Sequence, residues 1–168
     1  VEVAAEAGKG DEICAAANDN AVGQVVVSGH AAAVARAIDL AKARGAKRAM
    51  ELPVSAPFHC ALMQPAADEM QEALSAAKIS PPVVPVVANV CATPVADPED
   101  IRRLLVEQVT ASVRWREAMI RLADNDAGAL VELGSGKART TMARRIDERL
   151  SATALSTPDE IRAFLEEK

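Results

Sequence analysis

Only two side chains in this sequence ordinarily titrate near neutrality, His30 and His59. His59 stands in Pro53-Val54-Ser55-Ala56-Pro57-Phe58-His59-Cys60, where two prolines fix the backbone at a strand-to-helix crossover. A rigid loop at the C-terminal end of a strand suits a general base, because the scaffold holds the imidazole while the loop exposes it. His30, in Ser28-Gly29-His30 between a strand and a helix start, reads instead as a polar cap or surface residue. Cys60 adjoins His59 but cannot readily pair with it, since neighbouring side chains diverge. A cysteine nucleophile at Cys14 or Cys91 leaves a divergent cysteine hydrolase open. Gly134-Ser135-Gly136-Lys137 fails as a phosphate loop: Val131 stands where a Walker A motif needs its first glycine, and Ala138 follows the lysine. No Gly-x-Ser-x-Gly nucleophile elbow occurs anywhere.

The elements around these residues follow from periodicity and punctuation. Residues 1–7 read as a helix end closed by Gly8. Strands at 12–17 and 24–28 flank turn chemistry at Asn18-Asp19-Asn20-Ala21-Val22-Gly23, so a hairpin is expected. A helix over 31–44 and a strand over 48–54 complete an α-β-β-α-β order. One strand in front would make it the ferredoxin-like split unit. The chain opens inside an amphipathic helix with no lead-in strand, so we expect it to be part of a longer polypeptide. Beyond Pro57 come a helix at 62–78, a short buried strand at 83–87, and a helix opened by Asp97 as N-cap with Pro98 at its first position. That helix carries Ile101, Leu104 and Leu105 on its apolar face, with Gln108 one turn further. Helices at 113–124 and 138–149 alternate with strands at 129–133 and 152–155, which implies a parallel sheet. Thr157 and Glu160 form a capping box for a last helix.

Composition bounds the function. Half of the 168 residues are hydrophobic and the only aromatics are Phe58, Trp115 and Phe164, so the core must be aliphatic. A net charge of −5 argues against general nucleic-acid binding. The three cysteines are widely spaced with no CxxC pair, which argues against a zinc site and against a disulfide framework; no metal is expected. No apolar run approaches a membrane span and no signal peptide is visible, so a cytoplasmic setting is expected.

Several segments resemble, in order, the bacterial malonyl-CoA:acyl carrier protein acyltransferase family. LPVSAPFHCALM (52–63) is similar to its active-site histidine segment. NDNAVGQVVVSGH (18–30) resembles its Asn-x-Asn-x-x-Gly-Gln-Val-Val hairpin, with Val22 where proline is frequent. GAKRAMELPVS (45–55), PVVPVVANV (82–90), LVEQVTASVRW (105–115) and VELGSGKARTTMARRI (131–146) also match, the last with Ser135 where the family usually has proline. No single motif carries the resemblance, which covers nearly the whole chain.

The resemblance implies an α/β fold: a ferredoxin-like small subdomain over 1–53 lacking its first strand, then over 54–168 the C-terminal part of an α/β hydrolase-like, parallel-sheet large subdomain. It implies malonyl transfer from coenzyme A to the phosphopantetheine thiol of acyl carrier protein through an acyl-serine, with coenzyme A thioester as substrate and no cofactor. It makes His59 the base and the Gln108 backbone carbonyl its orienting partner. Phe58 would crowd methylmalonyl, Asn18 and Asn20 would lie near the site's mouth, and Lys47 and Arg48 would meet phosphate or the acidic carrier. The family's serine elbow, glutamine-containing oxyanion segment and carboxylate-binding arginine have no counterpart here. The expected partners are therefore malonyl-CoA, acyl carrier protein and a missing N-terminal part of the same enzyme, with neither nucleic acid nor membrane. A non-catalytic module binding coenzyme A or acyl carrier protein is the alternative, and the cysteine hydrolase a second one.

Overall fold

A computed structural model describes residues 1–166. The chain is α/β, with seven helices and three two-stranded sheets among the described residues. The first unit holds α1 (Glu2–Ala7), the antiparallel hairpin β1 (Cys14–Ala21) and β2 (Gln24–Gly29), and α2 (Ala31–Ala43). Its core is small side chains: Ala4, Ala7, Ala17, Ala33 and Ala37 are buried, which lets helices and hairpin approach closely. α1 is short, and its end is fixed from outside. The Arg36 guanidinium donates to the Ala7 carbonyl at 2.9 and 2.7 Å, satisfying a C-terminal acceptor that the helix itself leaves free.

The hairpin differs from the sequence expectation. Asn18, Asp19 and Asn20 lie inside β1, and the turn is Val22-Gly23, with Gly23 at φ 74°. Residues 18–20 stay in the strand by bulging: the register slips between Ala16 and Asn18 and again between Asp19 and Ala21. The expected strand at 48–54 does not form, because no neighbouring strand offers it a ladder among the described residues. The strand expected at 83–87 shrinks to β3 (Val86–Val87), paired with β4 (Pro94–Val95). Pro81, Pro82 and Pro85 remove the donors a longer ladder would need.

The second half follows its reading more closely. After a 3₁₀ turn at Ala61–Met63 comes α3 (Gln64–Ala76), and α4 (Pro98–Glu107) begins where Asp97 accepts from the Glu99 and Asp100 amides at 2.9 and 3.0 Å. α5 (Trp115–Asp124) precedes β5 (Ala129–Leu133), α6 (Ala138–Ile146), β6 (Ser151–Leu155) and α7 (Pro158–Glu166). β5 and β6 run parallel in unbroken register, joined through α6. The main core here is Ala92, Ala118, Met119, Ala123 and Leu150, with Val87, Trp115, Leu122, Leu130 and Ile146 packed against it.

His30 has a structural task in this frame. Its amide donates to the Ile13 carbonyl, and its Nδ1 accepts from the Ile13 amide, both at 2.9 Å. Gly29 must be bare for this clamp to close, since a Cβ there would lie 2.0 Å from the Ile13 oxygen. Gly29→Ala is expected to destabilise the fold by about 1–3 kcal/mol, as overpacking does. Denaturant unfolding of the variant checks this, and an unchanged midpoint would show that the clamp can yield.

Candidate functional site

The loop bearing His59 is tied down on both sides. The Phe58 amide donates to the Ala56 carbonyl at 3.0 Å, and the buried Cys60 thiol donates to the Pro57 carbonyl at 3.2 Å. The Cys60 carbonyl then accepts from the Met63 amide at 3.0 Å, starting the 3₁₀ turn into α3. Cys60 is therefore an anchor of the loop. Between these ties His59 is forced to φ 60°, the left-handed region, which costs a non-glycine residue about 1–2 kcal/mol. The imidazole is partly buried, and Phe58 beside it is 46% exposed.

His59 Nδ1 lies 3.0 Å from the Gln108 carbonyl oxygen. Gln108 is the C-cap of α4, at φ −63° and ψ −21°. Its carbonyl is one of the acceptors that a helix end leaves free, and it sits at the negative pole of the helix dipole. A carbonyl can only accept, so this contact places the proton on Nδ1 and leaves the Nε2 lone pair as the basic site. His30 has the opposite arrangement, since its Nδ1 is the acceptor. The two rings thus belong to different tautomers.

Other side chains complete the framework. The Val113 amide donates to the Ala17 carbonyl and the Val113 carbonyl accepts from the Asp19 amide, each at 2.9 Å, which bridges Val113 to Asn18 as a parallel pair. Arg116 backs this seam by gripping the Asp19 carboxylate, with Nε at 3.1 and 3.0 Å and Nη2 at 2.7 Å. The hairpin holding Asn18 and Asn20 is thereby docked on the segment that leaves Gln108. Asn18 pairs with Val26 in the ladder, and both asparagines are partly buried. Lys47 and Arg48 lie on the exposed stretch beyond α2, where Arg48 Nε contacts the Met50 sulfur at 3.1 Å. His59 and Gln108 are the predicted residues in direct contact. Asp19, Asn89, Arg114 and Arg116 were given no site role in the sequence, because the bonds that matter here are distant: Asp19 stood in an expected turn, and Asn89 and Arg114 lay inside matched segments without a partner.

The cysteines are engaged in or near local structure among the described residues. Burial pushes the Cys14 thiol up, against a smaller opposing pull from Arg36. Cys91 accepts from the Thr93 hydroxyl at 2.9 Å. No cysteine hydrogen-bonds to an imidazole, and no cluster of three or more metal-ligating side chains occurs, among the described residues. The glycine loop before α6 is also accounted for. Glu132 receives the Thr140 amide and hydroxyl at 2.8 Å each and the Arg139 amide at 3.2 Å. These donors, those of Thr140 foremost, hold its carboxyl below the usual range. The helix end beside the glycine loop, a natural place for an anion, already holds the Glu132 carboxylate.

Comparisons with known proteins agree with the motifs. No family model matches the chain. It is 42% identical over 161 residues to the malonyl CoA-acyl carrier protein transacylase of Escherichia coli K12, covering 96% of this chain and 52% of that protein. The Bacillus subtilis transacylase is 41% identical over 145 residues, which are 86% of this chain and 46% of the relative. In three dimensions it is similar to the acyl-carrier-protein-S-malonyltransferase of Bartonella henselae, with TM-score 0.92 and 48% identity over 99% of this chain and 52% of that one. A malonyl-transacylase in complex with its type II polyketide acyl-carrier protein superposes with TM-score 0.93 at 40% identity, covering 99% and 54%. The chain spans about half the length of the curated relatives it matches, and over that half it is similar to malonyl CoA-acyl carrier protein transacylases from end to end.

Proposed function

We propose that this chain is part of an enzyme that moves a malonyl group from coenzyme A to the phosphopantetheine thiol of an acyl carrier protein, with His59 as general base. The observation that carries the reading is the 3.0 Å contact between His59 Nδ1 and the Gln108 carbonyl. It is the arrangement a base needs: one ring nitrogen committed to a fixed acceptor, the other left to exchange protons. The nucleophile is a serine hydroxyl supplied from outside this chain. Its proton passes to Nε2 as its oxygen attacks the thioester carbonyl. The carbon–sulfur bond then breaks, and the departing coenzyme A sulfur takes the proton from the imidazolium. In the second half the carrier thiol gives its proton to Nε2 and attacks the acyl-serine ester. The carbon–oxygen bond breaks and the serine oxygen recovers a proton. The coenzyme A thioester is a substrate here and free coenzyme A a product, and the scheme calls for no cofactor or metal.

In this reading residues 1–53 belong to a ferredoxin-like small subdomain and 54–168 to a larger α/β one, and the remaining half of the enzyme covers the edges left open. Val131 and Leu133 on β5 are exposed, and among the described residues β5 has one ladder partner. Parallel strands are normally covered on both faces. A cleft of about 210 Å³ beside β5, lined by Trp115, Met119, Leu122, Leu130, Arg139 and Ala152 among others, is apolar enough to take side chains from that half. The setting we propose is the cytoplasm. Among the described residues no helix is long and apolar enough to cross a membrane.

Three measurements bear on this. In the complete enzyme His59→Ala is expected to slow acyl-serine formation by about 100-fold or more, the scale of a lost general base. A burst of labelled malonyl-enzyme at the wild-type rate would sink the assignment. Phe58→Ser is expected to bring the kcat/KM values for malonyl- and methylmalonyl-CoA closer, since a methyl in a tight pocket is worth about 1–3 kcal/mol. An unchanged ratio in a folded variant would leave Phe58 with packing alone. Replacing Lys47 and Arg48 together with Ala is expected to raise KM for the donor or the carrier, more at low ionic strength than at high. Equal constants and equal salt dependence for both substrates would remove these residues from the binding surface.

A further inference from the structure

The carbonyl that engages His59 belongs to a residue held by a third side chain. Asn89 Nδ2 donates to Gln108 Oε1 at 2.8 Å. Asn89 lies in the turn between β3 and β4, and that turn is rigid. The Ala92 amide donates to the Ala88 carbonyl at 2.8 Å, and the Ala88 amide to the Thr93 carbonyl at 3.2 Å. Arg114 also holds this turn, its amide donating to the Asn89 carbonyl at 3.0 Å and its Nη1 to the Val90 carbonyl at 3.3 Å. Arg114 immediately follows Val113, the residue docked on β1. Asn89 is therefore fixed to both the turn and the interstrand seam.

Gln108 needs such support. It is the C-cap of α4 and the first residue of the turns at 108–110, and helix ends fray. A carbonyl at a fraying end can swing toward water and abandon the imidazole. We infer that Asn89 is a positioning residue for the base: it clamps the Gln108 side chain, and so keeps the Gln108 carbonyl aimed at His59 Nδ1. The chain of contacts runs from Asn89 to Gln108 to His59, with no contact of Asn89 to the reacting atoms. This rests on the reading of His59 as the base, and extends it to a residue 19 positions from Gln108 in sequence.

The test uses Asn89→Ala, Asn89→Asp and Gln108→Met. A general base contributes about 100-fold or more, and a residue that only steadies its acceptor contributes less, so Asn89→Ala is expected to lower the rate of acyl-serine formation about 10-fold. KM for malonyl-CoA should stay within about twofold, because no substrate contact is removed. Asn89→Asp should restore most of the rate, since a carboxylate can accept from a flipped Gln108 amide. Gln108→Met keeps the backbone carbonyl but removes the amide, and should reproduce the Asn89→Ala loss with no further loss in the double variant.

A second readout does not depend on turnover. Long-range proton–nitrogen spectra of the protein carrying ¹⁵N-histidine should show His59 as the Nδ1–H tautomer and His30 as the Nε2–H tautomer. In Asn89→Ala the His59 signals should move toward a tautomer average while those of His30 stay in place. If Asn89→Ala does not fold, Gln108→Met supplies the same comparison. An unmoved His59 tautomer with wild-type kinetics in both variants overturns the role of Asn89. A wild-type rate in His59→Ala would instead overturn the functional reading, so the two failures are separable.

Discussion

The site depends on one seam, where Val113 gives both its backbone groups to β1. Through Ala17 and Asp19 the seam joins the hairpin to the segment that leaves α4, and Arg116 on Asp19 reinforces it. Gln108 lies five residues before Val113, and Asn89 is bonded to Arg114 directly after it. The imidazole's acceptor, the turn that steadies it and the asparagine-bearing strand thus share one anchorage. The seam is backbone to backbone, so its bonds require no particular side chain at Val113, while the buried Ala17 must stay small for β1 to keep its place. The bulges in β1 make it possible, because they break the register where the strand reaches away from β2 to its second partner.

Helix ends carry much of the remaining order. α4 is stopped at its start by Asp97 and left with a free carbonyl at its finish, where His59 meets it. α6 has its first amides taken by Glu132 from the strand before it. The Ala7 carbonyl at the end of α1 is taken by Arg36. Each terminal group needs a partner, and the side chains that answer them tie elements together that short sheets of two strands could not.

Much of this was legible in the sequence, and the limits are physical. Helix positions followed from periodicity and capping: Asp97-Pro98, Thr157 to Glu160, and the apolar faces of α2 and α4. β5 emerged at its predicted bounds, and β6 within one residue, because alternating helices and apolar runs leave few options. The 48–54 strand failed because apolar pattern records a preference for extension, and a ladder also needs a neighbour. Asn18-Asp19-Asn20 misled in the same way. Their turn propensity is local, and the bonds that hold them in β1 reach to Val113 and Arg116, nearly a hundred residues on. His59 and Gln108 were reached through family motifs, since nothing in the composition of α4 marks one carbonyl among its last turn. Asn89 lies within the matched segment 82–90, but nothing in that run assigns it a partner.

The left-handed backbone at His59 sets stability against activity at a single position. Glycine there would relieve the conformation without a steric cost, and asparagine would tolerate it better than most residues. A lineage under selection for folding alone would drift toward those residues, and a screen scored on heat resistance would reward the same loss. Under the role proposed for His59, histidine at this φ keeps a proton acceptor where glycine would keep only the turn.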